Sequence, residues 1–236
     1  MSATAALALA LTLAAPAQVP ESAHKGYAEV LKTHVKKGRV DYKTLSRDTS
    51  KLDQYLAAVA KANLPKGKQA RMAFYIDAYN ALVIKSVITH GRPRSVLDVK
   101  GFFKEAVHTV AGKKVSLDAL EKKHLNPFAK DPRTHFVLVC AAVGCPIIEA
   151  RPFVGGGLER RLDAATRRYL SSPTGAKVSD GAIALSKIFD WYKADFGGSQ
   201  GVLSFVKRHL PKAQQDQLGA TPKVGYVDYN WTLNQQ

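Results

Sequence analysis

The sequence predicts one α+β domain in which a central buried helix packs on a small mixed or antiparallel sheet, with amphipathic helices at the periphery. Three observations carry this. Segments of helical periodicity alternate with short extended runs. Residues 69–91 are apolar on most sides of a helix. No internal repeat or long linker divides the 236 residues, a length ample for one medium core.

In order, YAEVLKTHVKKGRVDYKTL (27–45) reads as a helix closed by Gly38, then an extended Arg39–Tyr42 piece. LDQYLAAVAKANL (52–64) places Leu52, Leu56, Val59 and Ala60 at helical spacing, and Pro65-Lys66-Gly67 ends it. QARMAFYIDAYNALVIKSVITHG (69–91) is the strongest helical signal, stopped by Gly91 with Pro93 beyond. FFKEAVHTVAGKKVSL (102–117) predicts a hairpin turning at Ala111-Gly112-Lys113, after which Ser116 caps a helix over LDALEKKHL. THFVLVCAA (134–142) is a continuous apolar run, as a strand buried on both faces would show. GLERRLDAATRRYLSS (157–172) predicts an amphipathic helix, 178–185 an extended stretch, and 186–198 and 201–210 two further helices.

Charge narrows the surroundings. The 35 Lys and Arg against 19 Asp and Glu give +16, which favours polyanionic neighbours such as nucleic acid, anionic lipid or cell-wall polymer. The basic residues are scattered over most predicted elements, with no zinc-finger spacing and no aromatic RNA-binding signature, so no specific nucleic-acid partner is expected. Residues 1–20 hold no charged side chain, and the apolar run Ala5–Ala15 is too short to span a bilayer. Ala15-Pro16-Ala17 before Gln18 has the small-residue pattern of signal-peptide cleavage. The expectation is a signal peptide at 1–17, a single domain at 18–236, and an exported mature chain without a transmembrane segment. Its expected partner is an anionic cell-envelope polymer or peptide.

Five blocks in order carry a resemblance: KGRVDY (37–42), AFYIDAYNALVIKSVI (73–88), DPRTHFVLVCAAVGCPII (131–148), LSKIFDWYKADFG (185–197) and YVDYNWTLN (226–234). With them the chain resembles the bacterial, exported branch of the domain of unknown function 547 family. That resemblance implies no settled activity. The chain departs from the family pattern at Asp77, where Asn is usual, and at Lys122, which follows Glu121 where the family commonly has His. A second likeness is architectural. Transglutaminase-like and papain-like enzymes open a buried helix with their Cys and set a His at the head of a later strand. D-x-x-N-A-L followed by Gly91-Arg92-Pro93 has about that layout, with Asp77 where the thiol would stand and His135 opening the later run.

Both cysteines, Cys140 and Cys145, sit close after His135. On a strand, His135 and Cys140 point to opposite faces and are about 16 Å apart, too far for a nucleophile–base dyad. Two thiols fall short of a structural zinc set, so no metal and no cofactor are expected. Export favours a Cys140–Cys145 disulfide over two buried free thiols. A catalytic reading keeps Cys145 as nucleophile with His135 as partner. A cleft reading gathers Asp77, Asn80 and His135 with Arg133 at the mouth, and Asp190, Trp191, Tyr192 and Asp195 as another wall. The plainer reading has Asn80 tying its helix to a loop and His135 bonding a neighbouring carbonyl. Two functions follow: a hydrolase or acyl transferase acting on peptide or envelope material through a helix–sheet cleft, or a non-catalytic domain that binds an anionic envelope ligand.

Overall fold

A computed structural model describes residues 18–153 and 156–236; the expected signal segment, 1–17, lies outside the described residues. Helix α1 (Glu21–His34) leads into strands β1 (Val35–Lys36) and β2 (Arg39–Val40), which pair Val35 with Val40 and Lys36 with Arg39. The two-residue turn between them, Lys37-Gly38, has positive φ at both positions, the mirror-image turn that matches strand twist. The extended piece expected after Gly38 is therefore the second arm of a hairpin. A short helix α2 (Tyr42–Leu45) is capped by Asp41, and α3 (Ser50–Lys61) packs on α1, with the Tyr27 and Tyr55 rings stacked at 4.4 Å.

Helix α4 (Lys68–Thr89) is buried without a break from Met72 to Ile84. The all-round apolar pattern forecast that burial. Strands β3 (His108–Val110) and β4 (Lys113–Val115) turn at Ala111-Gly112, again at positive φ. Ser116 Oγ then accepts from Ala119 N at 3.1 Å and starts α5 (Leu117–Ala119), which runs on as a π-helical turn, Leu120–Leu125, into α6 (Asn126–Ala129). The α4 helix packs against α2, α3, α5, the π turn and α6. The sheets lie to the side of this helical centre.

The second half holds α7 (Leu158–Leu170), β5 (Ala176–Ser179), β6 (Ala182–Leu185), α8 (Ile188–Trp191), α9 (Gly198–His209), α10 (Lys212–Leu218) and β7 (Lys223–Tyr226). Strand β6 pairs antiparallel with β5 and parallel with β7, making the one mixed sheet among the described residues. Periodicity gave no notice of α10 or β7. The first buries only Leu218, and the second is a mostly exposed edge.

The strand expected at 134–142 does not form. Asp131 Oδ1 accepts from Arg133 N at 3.0 Å, and Pro132–Phe136 closes into a 3-10 turn. The next residues run without regular structure. Asn80 Nδ2 donates to Val137 O and Asn80 Oδ1 accepts from Val139 N, both at 2.9 Å. Further on, Val143 N and Gly144 N donate to Thr232 O and Asn230 O at 2.8 Å. The run is apolar because it crosses between two packed clusters. Phe136 belongs to the cluster of β5, β6, α8 and α9, while Val137–Val139 belong to the cluster around α4. A buried amide and the C-terminal strap thus supply the backbone partners that a neighbouring strand would have given.

Candidate active site

His135 lies at the seam between the two clusters, and its side chain is almost fully buried. Both ring nitrogens face carboxylates. Nε2 is 2.8 Å from Asp195 Oδ2, and Nδ1 is 3.8 Å from Glu121 Oε1. Asp195 arrives on the 3-10 turn Lys193–Phe196 that follows α8. Glu121 arrives on the π turn, whose i→i+5 bond runs from Asn126 N to Glu121 O; such turns recur at functional sites. The Tyr192 ring packs tilted against the imidazole with centroids 3.9 Å apart, and Tyr192 is near enough to Glu121 to oppose the rise in its pKa.

These groups titrate differently because their surroundings differ. Burial raises the Glu121 carboxyl above the ordinary range, opposed in part by the Tyr192 hydroxyl and the nearby His135. The hydrogen bond from His135 lowers Asp195, which is more exposed. Burial also raises the Tyr79, Tyr192 and Tyr229 hydroxyls. Two carboxyl groups pushed apart on either side of one imidazole form an acid–base arrangement.

The imidazole borders an inner cavity of ≈ 190 Å³ whose wall includes Cys140, Cys145, Tyr79, Tyr229 and Trp231. The two sulfurs are at bonding distance, 2.00 Å, with Cα atoms 6.2 Å apart. Cys145 Sγ accepts from Cys140 N at 3.0 Å, and the Tyr229 hydroxyl is 3.2 Å from both sulfurs. Tyr229 and Trp231 come from the C-terminal strap, pinned by bridges from Thr232 to Ser95 and from Leu233 to Ala142, and by Tyr42 donating to Asn234 Oδ1 at 2.8 Å. Outside this chamber opens a groove of ≈ 890 Å³ that shares His135, Tyr192, Trp191, Trp231 and Lys104 with it and adds Lys122 and Lys130. Trp191, Tyr229 and Trp231 form an aromatic trio with centroids 4.8–5.8 Å apart, and Trp191 is half exposed.

The residues expected to converge are dispersed. Asp77 faces away from His135, its Oδ1 accepting from Phe153 N at 2.7 Å, and burial pushes its pKa well up. Asn80 lies beneath the pocket as a backbone tie, as the plainer reading had it. Arg133 is held by Asp131, Asp163 and Glu159 on the α7 side. Asp190 pairs with Lys187 and Lys193 and lines neither chamber nor groove. His135 and Cys145 do share the chamber. The distance argument that separated them assumed a strand that is absent. Glu121, Tyr79, Tyr229 and Trp231 were not singled out as a site from sequence, whereas Tyr192 was expected as part of a wall. Four of the five resemblance blocks deliver the pocket's imidazole and thiol residues and all of its aromatics but Phe103. Phe103, Lys104, Asp118 and Glu121 lie outside them. Among the described residues no group of three His, Cys, Asp or Glu is placed to hold a metal ion.

Residues 63–170 match the family model described as "Protein of unknown function, DUF547". No curated protein and no solved structure matches the chain.

Proposed function

We propose, from the pocket and from the match of residues 63–170 to the DUF547 model, a hydrolase or acyl transferase acting on peptide or cell-envelope material, exported after removal of 1–17. The observation that carries this is an imidazole held between two carboxylates inside a chamber whose wall is the Cys140–Cys145 pair. The outer groove, ≈ 890 Å³, has room for a polymer segment, and the adjoining inner chamber, ≈ 190 Å³, has room for a small group. No helix among the described residues is long and apolar enough to cross a membrane.

In the oxidised state neither sulfur is a nucleophile. An external dithiol would reduce the pair by thiol–disulfide exchange, itself becoming a disulfide and leaving two thiols. Cys145 then gives its proton to His135 Nδ1, the nitrogen not bonded to Asp195; that nitrogen lies 3.8 Å from Glu121 Oε1. The resulting thiolate sits where the Cys140 N–H and the Tyr229 hydroxyl already point at Sγ, and such donors favour the charged form. Attack on a carbonyl forms a thioester, and the departing amine or alcohol takes the proton back from His135. Water or an acceptor amine then releases the acyl group and restores the thiol. Glu121, protonated over part of the pH range where an ordinary glutamate is ionised, can donate to the developing oxyanion or leaving group.

A second reading, a binding domain for an anionic envelope ligand, is favoured by the bonded state of Cys145 and by the aromatic trio beside Lys104, Lys122 and Lys130. One experiment separates the two. A fluorogenic thioester or activated ester is incubated with oxidised and with dithiol-reduced protein. The enzymatic reading expects turnover only after reduction, abolished by Cys145→Ser and strongly lowered by His135→Ala. Absence of turnover in the reduced protein, with an envelope polymer bound equally in both redox states, would establish the binding reading instead.

A further inference from the structure

A second concavity, sharing no residue with the pocket around His135, lies between the β1–β2 turn, residues 147–151 and the outer face of α7. Its volume is ≈ 690 Å³. Among its described lining residues Lys37, Arg151, Arg160, Arg161 and Arg168 face a single carboxylate, Glu149. Arginine outnumbers lysine here, although in the whole chain lysines are about twice as frequent. That local reversal singles the groove out from the scattered basic surface.

Its construction is specific. Glu149 Oε2 takes Arg161 Nη2 at 2.5 Å and Oε1 takes Arg168 Nη2 at 3.0 Å, so one carboxylate holds two guanidiniums. Arg161 is further fixed over the Phe153 ring and by donation to Pro152 O. It is a wall, with Glu149 as its built-in counter-ion. Arg160 and Lys37 have no ion pair among the described residues, and both are exposed. Arg160, Ala164 and Arg168 follow one another at i, i+4 and i+8, placing two arginines on backbone positions about 12 Å apart along α7 with a small residue between them. The Lys37 turn is brought against the 147–151 segment by Gly38, where a Cβ would stand 2.3 Å from Ile147 Cβ.

We propose that this groove binds a linear phosphate polymer, seating successive phosphates against Arg160, Arg168, Arg151 and Lys37. With Arg160 and Arg168 rooted on backbone positions about 12 Å apart along α7, the groove has length for more than one phosphate, which favours a chain over a single ion. The donors come from three separate segments, so they approach an anion from several directions, as tetrahedral oxygens require; the planar carboxylate already present engages Arg161 and Arg168 and, at the edge of ion-pair distance, Arg151.

The test is fluorescence anisotropy of labelled inorganic polyphosphate on the full chain across a salt series. The double variant Arg160→Gln/Arg168→Gln is compared with Lys61→Gln/Lys66→Gln, which removes the same charge from exposed positions outside the groove. The groove variant should lose about tenfold or more in affinity. Its log K against log salt slope should also become shallower by about 1.4 to 1.8. The control should change little, and thermal melts of both should stay native. Equal losses in the two variants would show a diffuse charge effect and overturn the site. Polyglutamate competing as well as polyphosphate at equal charge would overturn the phosphate assignment.

Discussion

Asn80→Ala tests whether one buried amide holds the segment that carries the pocket. In the native chain that side chain satisfies Val137 O and Val139 N, both at 2.9 Å and both buried. The segment has no strand neighbour to take over. Alanine leaves a carbonyl and an N–H without partners, at about 1–3 kcal/mol each, so the expected loss is about 4 kcal/mol. For a domain of this size 1 kcal/mol corresponds to about 2–4 °C in melting temperature, giving a fall of about 8–16 °C by circular dichroism. Because Cys140 directly follows the tied residues Val137 and Val139, residual folded protein should also show faster reduction of the Cys140–Cys145 pair. Asn80→Asp, which keeps the acceptor for Val139 N, should lose the bond to Val137 O and bury a carboxyl. Its deficit should therefore grow as pH rises. A shift under about 2 °C for Asn80→Ala would refute the claim that Asn80 replaces a strand partner.

Asp77→Asn retains the acceptor for Phe153 N and removes a carboxyl whose pKa burial raises. A raised acid stabilises the fold below its unfolded pKa and loses that contribution as pH climbs through the folded value. The Asn variant should therefore gain stability over the parent above about pH 4, and a pH series of melts reads this directly. Glu121→Gln should behave in the same direction through the same linkage, since burial raises Glu121 too, while lowering ester turnover in the reduced protein. Replacing both cysteines with serine opens a short loop and should lower stability by about 2 kcal/mol in chemical denaturation, with little change in polyphosphate binding at the α7 groove.

The helices α1, α3, α4, α7 and α9 and the β3–β4 hairpin were legible because each rests on local signals: periodicity, a Ser116 cap, a turn at Ala111-Gly112. The misreading at 134–142 has a physical cause. Burial on all sides looks the same in sequence whether the backbone partners come from a strand or from a side chain such as Asn80. Asp195 was expected in the wall opposite His135, but its direct bond to the imidazole, and Glu121 as the second partner, were not legible. Glu121 depends on a π turn that shifts its register, and Asp195 is brought across 60 residues by tertiary packing. The C-terminal strap was visible as YVDYNWTLN, but nothing local in it says that Tyr229 ends beside both sulfurs. Asp77 and Arg133 drew notice as polar groups in apolar or loop settings. Their partners, Phe153 N for one and Asp131, Glu159 and Asp163 for the other, explain them without the pocket.

The central claim is that reduction turns Cys145 into a stabilised thiolate served by His135. The most direct measurement is the rate of iodoacetamide labelling at each cysteine, resolved by peptide mass spectrometry, in reduced native protein between pH 5 and pH 9. The account predicts that Cys145 labels faster than Cys140 at neutral pH, with an apparent pKa well below the ordinary thiol value of about 8.5. His135→Ala and Tyr229→Phe should each move that pKa back toward the ordinary value. Equal labelling of the two thiols with an ordinary pKa, unchanged by His135→Ala, would contradict it and leave the pair as a structural bridge.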